Sequence, residues 1–271
     1  MYEQHWQLNS QPFENGARGD SYYPSEIHQG ALLKLRYTVE NRRGGAALSG
    51  GSGLGKSVLI DLMLSSLPEE IYPRVNIVYP QMPAAQLIAF ICSEVAGLDR
   101  PPTTVSESVS ILRDFLVENG TNGRHAVIVV DEAHLIENVE ALETLRLLLN
   151  FEHEGSPLLS LILSGQPDVL TNLERYSSFG DRMSVRTLLR PFSLEETASY
   201  ISHRMTAAGA TRTVFANDAT DLIHELTQGV PRNINSLCDL SLLIGFAEGA
   251  QQIDAKAITS VSEEMMAISP E

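Results

Sequence analysis

The densest chemistry in the chain lies in eight consecutive residues. Gly50-Gly51-Ser52-Gly53-Leu54-Gly55-Lys56-Ser57 fits the pattern G-x-x-x-x-G-K-[ST] in full. Glycines let the backbone curl with its N–H groups pointing inward. Those amides and the start of the following helix, at Val58, then hold an anion. Lys56 adds a point charge suited to β- and γ-phosphates, and Ser57 offers a hydroxyl to Mg²⁺. A flexible Gly/Ser turn would need neither the Lys-Ser pair nor the flanking apolar run and helix.

A second cluster is acidic. Val127-Ile128-Val129-Val130 is a β-branched run of the kind buried on both faces of a parallel sheet, and it ends in Asp131-Glu132. Open parallel sheets bind ligands at the carboxyl ends of their strands. Asp131 is therefore expected beside Ser57, holding Mg²⁺ through water, with Glu132 polarising the attacking water. Asp131-Glu132-Ala133-His134 also spells a helicase box. Helicases of that group place ATP between two α/β domains, and this chain has room for one, so His134 is read as capping or orienting the next helix.

Leu161-Ile162-Leu163-Ser164-Gly165-Gln166 ends another buried run, so Ser164 or Gln166 faces the same edge and is placed to report a γ-phosphate. Arg175, Arg182, Arg186 and Arg190 follow closely. They suit either bidentate phosphate contact across an interface or a solvated face paired with Glu174 and Asp181. Arg182 and Arg186 are the preferred candidates for a finger supplied in trans. Gly229-Val230-Pro231-Arg232 opens a helix with proline near its start. A cation in a first helical turn opposes the helix dipole. Arg232 is therefore a candidate to reach back to the nucleotide.

These groups need a scaffold. Helical periodicity covers residues 26–40, 58–67, 84–97, 105–118 and 139–151. Strand-like runs lie at 75–79, 126–130, 158–163 and 185–189. After Pro191 only helices are expected, at 194–208, 216–227, 231–248 and 254–264. The fold class expected is α/β, a doubly wound parallel sheet followed by an all-helical piece. The divisions are an irregular lead-in over 1–24, the α/β body over 25–190 and the helical piece over 191–271.

Composition narrows the function classes. Of 19 cations against 34 acids, only Lys34, Lys56 and Lys256 are lysines, and the net charge is −15. Such a chain repels phosphate polymers overall, which disfavours nucleic-acid wrapping. No signal peptide or membrane-spanning run is seen. Cys92 and Cys238 lie in apolar helical runs and read as buried thiols in a reducing compartment.

The same residues carry a family resemblance. The chain resembles an AAA+ ATPase of the P-loop NTPase class, and within it the ExeA-type, or general secretion pathway protein A, family. The likeness runs through Met1-Tyr2 with Phe13, Tyr23-Pro24 with His28-Gln29-Gly30-Ala31-Leu32, the phosphate loop and Asp131-Glu132-Ala133-His134. It continues through Leu148-Leu149-Asn150-Phe151-Glu152, Gly165-Gln166-Pro167-Asp168 and Tyr200-Ile201-Ser202-His203-Arg204-Met205, then Ala208-Gly209 and Phe215. Gly229-Val230-Pro231-Arg232-Asn233-Ile234-Asn235-Ser236-Leu237-Cys238-Asp239 is its most specific part. The resemblance implies an ATP- and Mg²⁺-dependent core with a helical lid. It also implies Arg232 as a sensor, a finger within 182–186, and Tyr23 to His28 near the adenine. It implies a cytoplasmic protein, peripheral at the inner membrane, that self-associates and acts on proteins of a type II secretion or pilus-like envelope system. Many relatives carry a transmembrane helix and a peptidoglycan-binding domain after the ATPase. This sequence ends at Glu271 without them, leaving an ATPase-only member and a fragment both open. The stretch before the finger, Tyr176-Ser177-Ser178-Phe179-Gly180-Asp181, departs from the family pattern. The alternative function is a transposition-type AAA+ regulator assembling on DNA, which the lack of a Lys/Arg-rich stripe disfavours. A nucleotide-binding scaffold with little turnover is a third.

Overall fold

The computed structural model describes residues 1–14 and 22–268. Helix α1 (Glu3–Trp6) is a single turn. Then follow α2 (Glu26–Glu40), strand β1 (Gly45–Ser49), α3 (Lys56–Ser66), β2 (Arg74–Ile77), α4 (Ala84–Ala96), α5 (Val105–Thr121) and β3 (Ala126–Val130). A 3₁₀ turn at Ala133–Leu135 leads into α6 (Val139–Leu148) and a hairpin of β4 (Glu152–His153) and β5 (Ser156–Pro157). After it come β6 (Leu159–Gly165), α7 (Asp168–Arg175), α8 (Ser177–Gly180) and β7 (Met183–Leu188). Helices α9 (Leu194–Ala207), α10 (Asn217–Thr227), α11 (Pro231–Ala247) and α12 (Ala255–Ile268) complete the described chain. None of its helices is long and apolar enough to cross a membrane.

The chain forms two compact units. One comprises Ile27–Ser52 and Leu59–Leu189 and holds a five-stranded sheet of order β2-β3-β6-β1-β7, parallel throughout. Every residue of β1, β3 and β6 is buried, as expected for strands covered on both faces. Val75, Ile77, Ile128, Val130, Leu161 and Leu163 share a core with α4 to α7. On the other face Ser160 Oγ donates to the Thr38 carbonyl of α2 at 3.5 Å. Helix α2, which leads into β1, and α7, which follows β6, thus lie on opposite faces of the sheet, and an open sheet of this kind has its crevice at the carboxyl ends of its strands.

The second unit comprises Met1–Glu26, Gly53–Val58 and Arg190–Glu271. Its core joins Phe192, Tyr200, Ile234, Leu242 and Ile258 to Tyr2, Trp6, Leu8 and Phe13. The lead-in, read from sequence as irregular, therefore contains a helical turn and supplies core residues. Buried Arg204 anchors it: Nη2 donates to the Glu14 carbonyl at 2.7 Å and Nη1 to the Tyr200 hydroxyl at 3.2 Å. Ser193 and Glu196 form a reciprocal capping box that starts α9. Cys92 and Cys238 are free buried thiols, each pushed up by burial.

A buried histidine at the foot of the sheet makes stability depend on pH. His125 is 1% exposed, with Nε2 2.9 Å from Ser160 Oγ. Burial first, and the Arg42 charge second, push it down to about 4. The folded state thus favours the neutral ring. Its stability is complete above the ordinary histidine value near 6.5 and is lost as pH falls toward 4, by about 2 kcal/mol between pH 6.5 and 5. Denaturant unfolding across that window should show this slope, and His125→Gln should flatten it. An unchanged slope in the variant would remove His125 as the cause.

Candidate nucleotide site

The phosphate loop leaves β1 at the crevice. The Gly50 N–H donates to the Gly165 carbonyl at 3.1 Å, tying the ends of β1 and β6 together. Gly53 and Gly55 adopt φ of +77° and +89°, left-handed conformations that L side chains resist. Leu54 is buried between them, Ser52 is exposed and Gly51 half-buried. Lys56, 7% exposed, opens α3, followed by exposed Ser57 and half-buried Val58. By packing, residues 50–52 belong to the sheet unit and Gly53–Val58 to the helical unit. Within the helical unit the Arg232 N–H donates to the Gly53 carbonyl at 3.3 Å.

The acidic pair sits at the end of β3. Asp131 is 7% exposed. Its N–H donates to the Ile77 carbonyl at 2.9 Å and its Oδ1 accepts from the Glu132 N–H at 3.0 Å. Glu132 turns left-handed at φ +49°, and its side chain is 44% exposed. A non-glycine residue in this conformation costs of order 1 kcal/mol or more and is a feature of sites whose surroundings over-determine them.

The register Val130↔Leu163 places Asp131 opposite Ser164 when carried one residue further, and Leu48 pairs with both Ser164 and Thr187. Paired residues share a face. Asp131, Ser164, Leu48 and Thr187 therefore form one row across four strands. The hydroxyls of Ser164 and Thr187 are buried without a hydrogen-bond partner. Gln166 lies past the strand and is exposed. Its N–H reaches His134 Nδ1 at 3.4 Å, and that same nitrogen is 3.3 Å from Glu132 Oε2. His134 thus contacts both the acid and the residue after Gly165.

The arginines are placed as follows. Arg182 and Arg186 are exposed in the sheet unit. The first donates to Asn150 Oδ1 at 2.9 Å and the second to the Gly180 carbonyl at 2.8 Å. Arg190, in the helical unit, grips Glu196 with two bonds of 2.6 and 3.2 Å. Tyr23 packs in the helical unit against Phe192, Tyr200 and His203, with ring centroids 5.6 to 5.7 Å apart. His28 is buried on α2 of the sheet unit. Arg232 is exposed in the first turn of α11.

Two residues escaped the sequence reading. Thr187 completes the polar row, yet a lone threonine in a strand carries no signal until register is known. Asp61 lies four residues after Ser57 on α3, hence on the same helix face. Partial burial first, and the Asp131 charge second, raise its carboxyl above the usual value. Among the described residues no group of three or more His, Cys, Asp or Glu side chains is arranged to hold a metal ion. A serine hydroxyl and a carboxylate fit Mg²⁺ all the same, because that ion keeps several waters and completes its shell with substrate phosphates.

The profile of the AAA domain matches residues 39–173. General secretion pathway protein A of Aeromonas hydrophila is 32% identical over 274 aligned positions, taking in 100% of this chain and 50% of that protein. The chain thus spans about half the length of this curated relative. Among solved structures, Drosophila ORC bound to DNA gives a TM-score of 0.72 at 14% identity, over 98% of this chain and 66% of that one. The Aeropyrum pernix ORC2 protein, in its ADPNP-ADP complexes, gives 0.70 at 15% identity, over 97% and 73%. The Thermotoga maritima RuvB Holliday junction branch migration motor gives 0.62 at 16%, over 94% and 73%. At these identities the structural likeness is one of fold. Together with the matched AAA domain, it gives this chain the AAA+ P-loop ATPase fold, and along its whole length the chain is similar in sequence to general secretion pathway protein A.

Proposed function

We propose that this chain binds ATP with Mg²⁺ and hydrolyses it, as an assembly motor or switch of a type II secretion or pilus-like envelope system. The observation that carries the nucleotide reading is the loop from Gly50 to Ser57, with left-handed glycines at 53 and 55 and Lys56 opening α3. Backbone amides of Gly50 to Val58 cradle the phosphates, and Lys56 neutralises the outer ones. Ser57 and Asp131 hold the metal, which supplies charge neutralisation at the β- and γ-phosphates. Glu132 orients and polarises the water that attacks the γ-phosphorus. Ser164 and Gln166 respond to the γ-phosphate, Arg232 reaches the nucleotide, and Tyr23 and His28 flank the base. Arg182 or Arg186 serves a neighbouring copy. The lead-in over 1–24, the ATPase body over 25–190 and the lid over 191–271 are the corresponding divisions. The secretion role rests on the 32% identity to general secretion pathway protein A, and a peripheral place at the inner membrane is part of the same proposal.

Phosphate release from purified protein, with and without Mg²⁺, tests the activity. Lys56→Ala should abolish nucleotide binding and turnover together. Turnover that survives Lys56→Ala would place the activity elsewhere. For the trans arginine, specific activity should rise with protein concentration and fall in Arg182→Ala or Arg186→Ala. Flat specific activity over about a hundredfold dilution would mean a monomeric mechanism.

A further inference from the structure

The start of α11 lacks the usual caps. The first four N–H groups of a helix have no partner within it. Val230 at the N-cap contributes no side-chain bond, and Pro231 has no N–H to give. The next donor, the Arg232 N–H, goes to the Gly53 carbonyl of the phosphate loop at 3.3 Å. The approach is close on the other side as well. A Cβ added to Gly53 would stand 2.8 Å from Arg232 Cβ and 3.1 Å from Val230 Cγ1. The same turn is fixed from behind, where the Phe192 N–H donates to the Gly229 carbonyl at 2.9 Å.

We propose that the Gly53 carbonyl caps α11, which makes Gly53, Val230 and the Arg232 backbone positioning residues that couple the loop's conformation to the helix carrying Arg232. The coupling runs through main chain and Cβ contacts and is separate from anything the Arg232 guanidinium does. It rests on the nucleotide-binding reading above. When phosphate orders the loop, Gly53 and the helix start are ordered with it, and any shift of α11 is felt at Gly53.

The test separates backbone from guanidinium. Arg232→Ala removes the guanidinium and keeps Cβ; Arg232→Gly removes both. Gly53→Ala is placed in the natural sequence and in each of these backgrounds. Affinity for ADP and for a non-hydrolysable ATP analogue is measured, together with the melting temperature of the nucleotide-free protein. In the natural sequence and in the Arg232→Ala background the new methyl meets a Cβ at position 232. There Gly53→Ala should weaken binding about tenfold and lower the melting temperature. In the Arg232→Gly background only the left-handed strain and the Val230 contact remain, so the penalty should shrink to about threefold, with a smaller melting shift. Equal penalties in the Arg232→Ala and Arg232→Gly backgrounds would overturn the proposal. A melting difference with no difference in affinity would overturn the coupling. A natural protein that binds neither nucleotide would sink the nucleotide reading instead, while the melting comparison would still decide whether Gly53 caps α11.

Discussion

Glu132→Gln is expected to lower ATP turnover by about 10²–10⁴-fold while leaving ATP affinity within a few-fold of the natural protein. The substitution keeps the shape of the side chain and removes its charge and basicity. It also keeps the backbone problem unchanged, because glutamine meets the left-handed conformation at φ +49° as glutamate does. Folding should therefore be unaffected, and the melting temperature serves as the control. The neighbouring histidine gives the effect a second reading. One Nδ1 cannot both accept from the Gln166 N–H and donate to Glu132, yet both lie within 3.4 Å of it. With glutamine at 132 an amide N–H can satisfy that nitrogen whenever it is unprotonated, so the contact survives without the carboxylate. Asp131 next door should behave differently. Asp131→Asn should weaken the Mg²⁺ dependence as well as the rate, because that carboxylate is the one proposed to hold the metal. Steady-state hydrolysis with fluorescent-nucleotide binding distinguishes the two. Turnover unchanged in Glu132→Gln would show that this residue is not the group acting on water. The trapped, ATP-loaded variant would then have no use as bait for envelope partners.

Much of this site is legible in the sequence alone, and the reasons are local. The strand at Ala126–Val130 is five β-branched or small apolar residues in a row, and α2 keeps helical spacing over Glu26–Glu40, so both fall on the ranges expected. The phosphate loop is legible because its chemistry is fixed at spacings along one segment. Features that depend on pairing between distant segments are not. β2 ends at Ile77, leaving Val78 and Tyr79 exposed ahead of Pro80, where an apolar run suggested more strand. α7 follows Pro167 and buries only Val169 and Leu173, too few turns for a period to show. The row of Asp131, Ser164 and Thr187 exists only through the registers of β3, β6, β1 and β7. A one-residue slip in any of them would send a side chain to the other face. The role of the opening residues is hidden for the same reason, since Trp6 finds its partner 236 positions away.

That partner makes Trp6→Ala the largest stability change expected. Trp6 is fully buried in the helical unit. Its Nε1–H donates to the Leu242 carbonyl at 2.9 Å, His5 packs edge-on at 4.6 Å, and the Arg212 guanidinium lies 5.8 Å from the ring. Truncation should cost about 3–5 kcal/mol, the sum of lost burial and a cavity that rigid helices close only in part. For a unit of this size that is a fall of roughly 10 °C or more in its melting temperature. The fit can be checked from the opposite wall. A Cβ at Gly245, in the interior of α11, would stand 2.9 Å from Trp6 Cζ2. Glycine to alanine inside a helix ordinarily gains about 1 kcal/mol. Here the gain should be reversed by collision with the indole, so Gly245→Ala destabilises the natural protein. In the Trp6→Ala background the collision is gone and the same change should stabilise. That inversion of sign depends on the tryptophan and the glycine occupying one space, and calorimetry on the four proteins measures it. Stabilisation by Gly245→Ala in the natural sequence would mean that the opening turn does not pack on α11. The anchoring of Pro12 and Glu14 by Arg204, with the Asn9 N–H on the Ala208 carbonyl and Phe13 against Phe215, would then be left to hold the segment.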